Sequence, residues 1–162
     1  TDHLIEAERC LSRGCLRMLH FAMKKGALTM QPFTLGSAQL VFEHRFEKLL
    51  RVQQPAPLTL EEYEASNDVE RFDEEKLYQV TQDAFKKARE ALDRAAKHPE
   101  PLPPDAQPRL RNLNRVCVTN TTCLLTAKKT LEKLGADARA RITFDDKVFL
   151  TLSIVDKAKI SC

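Results

Sequence analysis

The 162-residue chain is predicted to be mainly α-helical, a helical scaffold with a long αα-hairpin and a short β-like segment near its C-terminus. Three observations carry that expectation. Apolar residues recur at steps of three and four over most of the chain. Breakers are sparse: there are four glycines and eight prolines, and five of those prolines fall in the single stretch HPEPLPPDAQP. Only in ITFDDKVFLTLSIV does the pattern give way to β-branched and aromatic residues.

The first helix is read from Asp2 to Lys25, where Leu4, Ile5, Leu11, Cys15, Met18, Leu19 and Ala22 keep helical spacing. Arg9, Arg13 and Arg17 step by four along another side, and Gly26 is the stop. QPFTLGS breaks the pattern, after which Ser37 can cap a second helix reaching about Val52 by accepting a first-turn backbone N–H. Pro55 and Pro57 close it. Thr59 with Glu61 and Glu62 offers a weaker cap for a short acidic helix, and Asn67-Asp68 marks a turn.

The clearest helix runs from near Asp73 to about Ala96, with Leu77, Thr81, Ala84, Phe85, Ala88, Leu92 and Ala95 on one narrow, alanine-rich face suited to close packing. The proline-rich link at 98–108 is a stiff, extended reversal. Beyond it Leu110, Leu113, Cys117, Asn120, Leu124, Ala127, Leu131 and Leu134 form one seam of period 3.5, a helix about 40 Å long at 1.5 Å per residue. That seam is expected to pair antiparallel with the preceding helix as an αα-hairpin. Gly135 ends it, and residues 142–155 form a strand-like tail that must lean on these helices or on a partner, because an isolated hairpin is marginal in water.

Read as one segment, the chain divides into helices around FEHRF (1–57), an acidic connector (58–72), the hairpin (73–135) and the tail (142–155). Its opening on charged, helix-compatible sequence without a methionine suggests a domain of something longer.

Charge and cysteines bound the function. The net charge is +3, but residues 1–57 carry eight basic and five acidic side chains, 58–106 seven and thirteen, and 107–162 eleven and five. The last third is therefore the region expected to meet an acidic partner. Five cysteines without paired two-residue spacing fit reduced thiols in a cytoplasmic protein better than disulfides or a zinc ribbon, so no metal is expected. No apolar run approaches the roughly 18 residues of a membrane span. The glycines, at 14, 26, 36 and 135, are too scattered to cradle phosphates, which argues against a self-contained nucleotide or coenzyme A enzyme, so no cofactor is expected.

Three features invite a chemical reading. In FEHRF, Phe42 and Phe46 share a helical stripe with Leu49 and Leu50, whereas His44 lies about 200° from Phe42. Phe42 and Phe46 therefore read as core anchors, and Glu43, His44 and Arg45 as interface residues rather than a catalytic cluster, since no second acid, nucleophile or ligand is recognisable nearby. With apolar residues on both faces, this helix is expected to be buried between layers or covered by a partner. Arg111, Arg115, Lys129 and Lys133 fall within about 40° of one another on the last helix and, with Arg139 and Arg141, form a basic stripe that reads first as an ordinary solvated face, no aromatic interleaving it, and alternatively as a surface for ribosomal RNA or an acidic protein. Asn120-Thr121-Thr122 matches a glycosylation pattern, but Asn120 sits in the apolar seam and reads as a buried polar register pin.

LSRGCLRMLHFAMKKGAL, PFTLGSAQLVFEHRF, QQPAP, FKKAREAL and ITFDDKVFLTLSIV, in that order, resemble the C-terminal part of the large auxiliary subunit of the NatC N-terminal acetyltransferase complex. LTLEEYEASNDVERFDEE matches that family only loosely, LGADARAR stands where the family has a glycine-rich turn, and DKAKISC extends past it. The resemblance implies a non-catalytic scaffold. In that complex a separate GNAT-fold catalytic subunit binds acetyl-CoA and acetylates nascent chains that begin with methionine and a hydrophobic residue. The large subunit holds it together with a small Sm-like auxiliary subunit and helps anchor the assembly at the ribosome. It implies no catalytic residue at any matched position. A free-standing helical RNA- or ribosome-binding adaptor and, more distantly, a Cys/His acyltransferase are the competing readings of the residues.

Overall fold

The computed structural model describes residues 2–29, 38–52, 59–98, 102–104, 106–145 and 149–159. They form five α-helices, α1 (Asp2–Lys24), α2 (Ala38–Val52), α3 (Leu60–Asn67), α4 (Glu74–Ala96) and α5 (Ala106–Leu134), and two strands, β1 (Ala138–Asp145) and β2 (Phe149–Asp156). Two compact units result, one of Thr1–Leu28 with Asp73–Cys162, the other of Thr29–Phe72. The sequence alone groups α1 with α2, whereas in space α1 belongs with α4 and α5.

In the first unit α1 and α4 run antiparallel. Arg94 bonds Glu6 at one end (2.8 Å), Phe21 meets Tyr78 toward the other (ring centroids 5.8 Å apart), and Lys25 pairs with Glu74. Small residues make the contact close. Ala7, Gly14 and Ala22 of α1 and Ala84, Ala88, Ala91 and Ala95 of α4 are all buried. Gly14 is the tightest point, because a Cβ there would overlap the Phe85 ring, 2.6 Å from its Cδ1. The alanine-rich face of α4 thus serves α1 first, and α5 packs less extensively on it.

α5 pairs antiparallel with α4, as expected of an αα-hairpin: Lys128 reaches Glu75 (3.1 Å) and the Cys117 thiol donates to the Phe85 carbonyl (3.3 Å). Its buried residues are Leu113, Val116, Cys117, Asn120, Leu124, Ala127 and Leu131, which is the predicted seam with Val116 added and with Leu110 and Leu134, at its two ends, only half-buried. The helix begins at Ala106, earlier than the link at 98–108 suggested. Pro108 is its third residue, in the first turn, where a missing N–H forfeits no intrahelical bond. Residues 99–101 and 105 of the link lie outside the described residues.

Termini follow local chemistry. At the end of α1, Gly26 at φ 70° lets Ala27 N–H reach the Ala22 carbonyl (3.0 Å) and Gly26 N–H the Met23 carbonyl (2.9 Å), the paired bonds of a Schellman cap. Asp73 caps α4 by accepting from Lys76 N–H at 3.1 Å. Gly135, at φ 53°, turns the chain out of α5.

The hairpin is antiparallel, with Ala138 opposite Asp156 and Asp145 opposite Phe149. β1 starts at Ala138, four residues before the expected start at Ile142. Ala138–Arg141 lacks strand-forming side chains and is extended because its backbone is paired, to β2 on one edge and through Ala140 N–H to the Ala27 carbonyl (2.8 Å) on the other. The tail leans on its own helices. Leu152 and Ala138 are buried, and the Leu150 carbonyl accepts from Asn120 Nδ2 at 2.8 Å and from the Cys15 thiol at 3.7 Å. Asn120 is fully buried in the seam and joins β2 to α5 and, through Cys15, to α1, and that burial closes the glycosylation reading.

In the second unit, α3 opens with a complete capping box, stronger than the sequence suggested: Glu62 N–H donates to Thr59 Oγ1 (3.1 Å) and Thr59 N–H to Glu62 Oε2 (3.0 Å). Phe42, Phe46 and Tyr63 form an aromatic cluster, with Phe42 5.0 Å from Phe46 and 5.8 Å from Tyr63, and Phe46 5.3 Å from Tyr63. Such pairs add about 0.5–1.5 kcal/mol each beyond area burial. The Ser37 cap and the Pro55 and Pro57 stop fall outside the described residues.

Two stability measurements check this packing. Gly14→Ala gains helix propensity of about 1 kcal/mol but forces the buried Phe85 ring aside at about 1–3 kcal/mol, so urea denaturation should show a net loss that Phe85→Leu partly restores. Asn120→Ala strips Leu150 of its best donor and should cost about 1–3 kcal/mol. Asn120→Asp should cost more, because an ionised carboxylate cannot donate and would itself be buried.

Candidate functional site

FEHRF lies on α2, and its geometry separates anchors from polar groups. Phe42 is buried and Phe46 half-buried, so Phe42 is the stronger anchor. Glu43, His44 and Arg45 are exposed, Glu43 accepting from Gln39 Nε2 at 2.7 Å. His44 makes no hydrogen bond or ion pair among the described residues, so the stretch assembles no acid–base relay. Leu40 and Leu49 of α2 are exposed, so its second apolar face is left uncovered among the described residues. Beside the stretch, an open cleft of about 460 Å³ is floored by Phe42, Leu50 and Leu60 and edged by Glu43, Glu61 and Glu64. It is an acid-rimmed depression without a cation among those residues, poorly suited to an anionic cofactor.

The thiols are equally unsuited to nucleophilic chemistry. Cys15 and Cys117 are buried and donate to carbonyls, and burial pushes the Cys15 thiol up to about 12. Burial also raises Cys117 and Cys123. The reactive species is the thiolate, and burial disfavours it at all three. His20, the buried histidine on α1, has its Nδ1 3.2 Å from Arg17 Nη1. A guanidinium only donates, so Nδ1 is the acceptor in that bond.

The basic side chains separate into two groups. Arg94, Arg109 and Lys128 hold helices together: Arg109 grips Glu8 with two bonds (2.6 and 2.5 Å), and Lys128 adds a cation–π contact 4.2 Å from the Tyr78 ring centre to its bond with Glu75. Arg111, Arg115, Lys129 and Lys133 are exposed on α5, and Arg139 and Arg141 are exposed on β1. Arg115 bonds Asn112 (2.7 Å), while Arg111, Lys129, Lys133, Arg139 and Arg141 form no ion pair among the described residues. Arg139 and Arg141 alternate on the hairpin face that also carries the Thr143–Thr151 hydroxyl pair (2.6 Å).

Sequence reasoning missed what lies between the helical cations. Val118 and Leu125 are 55% and 44% exposed, and with Thr122 they fill the gap between Arg111/Arg115 and Lys129/Lys133 on the same side of α5. The signal was available as a second 3.5-residue period, opposite the core seam.

These thiols are expected to ignore alkylating reagents. Iodoacetamide at pH 8 should leave Cys15 and Cys117 unmodified in the folded chain and label them once urea unfolds it; rapid labelling of the native protein would revive the nucleophile reading.

A family model described as NAA35-like, TPR repeats, matches residues 2–149. No curated protein and no solved structure matches the chain at a significant level.

Proposed function

The chain belongs to the NAA35-like family of TPR-repeat proteins, and on that premise we propose that it is part of the non-catalytic large auxiliary subunit of NatC. The family supports an auxiliary subunit of an N-terminal acetyltransferase complex, a role of contact between proteins rather than of chemistry. The NatC assignment rests on the ordered resemblance of LSRGCLRMLHFAMKKGAL, PFTLGSAQLVFEHRF and ITFDDKVFLTLSIV. The observation that carries the reading most directly is the extent of the match, which spans both compact units and stops only at Phe149.

The proposed mechanism is positioning. A body of α1, α4 and α5 closed by its own hairpin presents fixed surfaces, and a catalytic GNAT-fold subunit and a small Sm-like subunit held on such a scaffold act at raised local concentration. In this reading the assembly works in the cytoplasm, beside the ribosome, on emerging chains that begin with methionine and a hydrophobic residue. The acid-rimmed cleft of the second unit and the cations of α5 and β1 offer surfaces of opposite charge for different partners. Protonated, buried thiols fit a chain that leaves acetyl transfer to another subunit.

The exposed cations Arg111, Lys129, Lys133, Arg139 and Arg141 favour one second reading, a helical adaptor that binds RNA or the ribosome directly. Copurification separates the two. A NatC segment should retain acetyltransferase subunits after nuclease and high salt, and its loss from cells should lower acetylation of N-termini beginning Met-Leu, Met-Ile or Met-Phe. Recovery of RNA-dependent partners only, with those N-termini unchanged, would establish the adaptor instead.

A further inference from the structure

From Arg111 the solvent side of α5 advances by steps of four, three, four, three and four through Arg115, Val118, Thr122 and Leu125 to Lys129, and Lys133 lies one turn beyond. At 100° per residue these seven positions fall within about 80°, and all seven are exposed. The arrangement is a second seam, opposite the one that builds the core, about 33 Å long at 1.5 Å per residue. Its centre is apolar and its two ends are cationic. α5 carries a single acid, Glu132, whose charge acts on Lys128.

We propose that this outer seam docks an amphipathic helix of a partner protein, apolar in its middle turns and acidic toward both ends. The period is the first argument. Steps of three and four in alternation keep the stripe facing one straight partner along its length, which is the requirement for helix against helix. Charge complementarity is the second. Acidic ends on the incoming helix would meet Arg111 and Arg115 at one end and Lys129 and Lys133 at the other, raising the on-rate and setting register, while Val118 and Leu125 supply the desolvated centre. Thr119, Thr121 and Thr126 border the stripe and leave room for close approach.

Other occupants fit less well. An RNA backbone would use the cations but gain nothing from covering Val118 and Leu125, and no aromatic platform interrupts the stripe for bases to stack on. A second copy of α5 would place cations against cations whether it lay parallel or antiparallel. This surface does not depend on which acetyltransferase complex the chain serves.

Fluorescence anisotropy with the whole 162-residue chain tests the proposal. The probe is a synthetic helical peptide of about 23 residues with leucines at its central heptad positions and glutamates at both ends. The controls are the same peptide with lysines at the ends and an oligouridylate. The glutamate peptide should bind, the lysine peptide should not, and Arg111→Glu/Arg115→Glu or Lys129→Glu/Lys133→Glu should each weaken binding about tenfold. Val118→Asp/Leu125→Asp should abolish it while circular dichroism stays unchanged, since both side chains are solvent-facing. Equal binding of both peptides, or no binding of either, sinks the idea. So does tight binding of oligouridylate that is indifferent to Val118→Asp/Leu125→Asp.

Discussion

Much of the structure depends on how closely α1 can approach α4, and a missing side chain sets that distance. With hydrogen in place of a methyl at Gly14, the Phe85 ring lies against the α1 backbone, and buried alanines continue the contact in both directions. The next layer follows from that placement. The Phe85 carbonyl receives the Cys117 thiol of α5, the Schellman cap after α1 delivers the Ala27 carbonyl to β1, and Cys15 and Asn120 together hold the Leu150 carbonyl of β2. Exposed ion pairs such as Arg94–Glu6 are screened by solvent and contribute little. Fully burying a leucine or phenylalanine is worth roughly 1.5–3 kcal/mol, so packing sets the register and the charges follow it.

Asn120 shows what a polar group in that core costs and does. Its Nδ2 serves Leu150 and, at 3.5 Å, Cys15, while its Oδ1 is buried without a hydrogen-bond partner among the described residues. A leucine would avoid that orphan acceptor but leave a strand carbonyl with only a long thiol bond. The outward side of an isolated hairpin's edge strand is a row of unpaired groups, and here the helices answer it at Leu150 on β2 and at Ala140 on β1. Two edge positions are thereby held, one by α5 and the other by the cap that follows α1, which explains how so short a sheet holds its place.

Helices with a clean period were legible from the sequence almost to the residue: α1 ends one residue before Lys25, and α4 spans the predicted stretch from its Asp73 cap to Ala96. Where local chemistry and tertiary pairing diverge, the reading slipped. Proline density hid the first turn of α5, although Pro108 is harmless there, and Ala138–Arg141 carries no strand signal because its extension is imposed by neighbours on both sides. The pairing of α1 with α4, across the intervening Thr29–Phe72 unit, has no local signature, since an alanine-rich face announces a close neighbour without saying which one. Nor did any 34-residue period stand out, though the family is one of TPR repeats, whose identity lies in helix packing more than in fixed residues.

The surface was legible in its charges and not in its apolar gaps. FEHRF drew the eye because acid, base and cation are adjacent in sequence, yet on a helix adjacent residues point 100° apart, and only Phe42 and Phe46 stay together. Arg111, Arg115, Lys129 and Lys133 do stay together, being whole turns apart, and Val118 and Leu125 escaped notice because every apolar residue of α5 invites assignment to the core. A single helix can carry two seams when they share one period and lie on opposite faces, and on α5 both advance by alternating steps of three and four. Any insertion of one or two residues within it would rotate both seams at once, so the register that packs α5 on α4 and β2 is the same register that aligns its cations toward a partner.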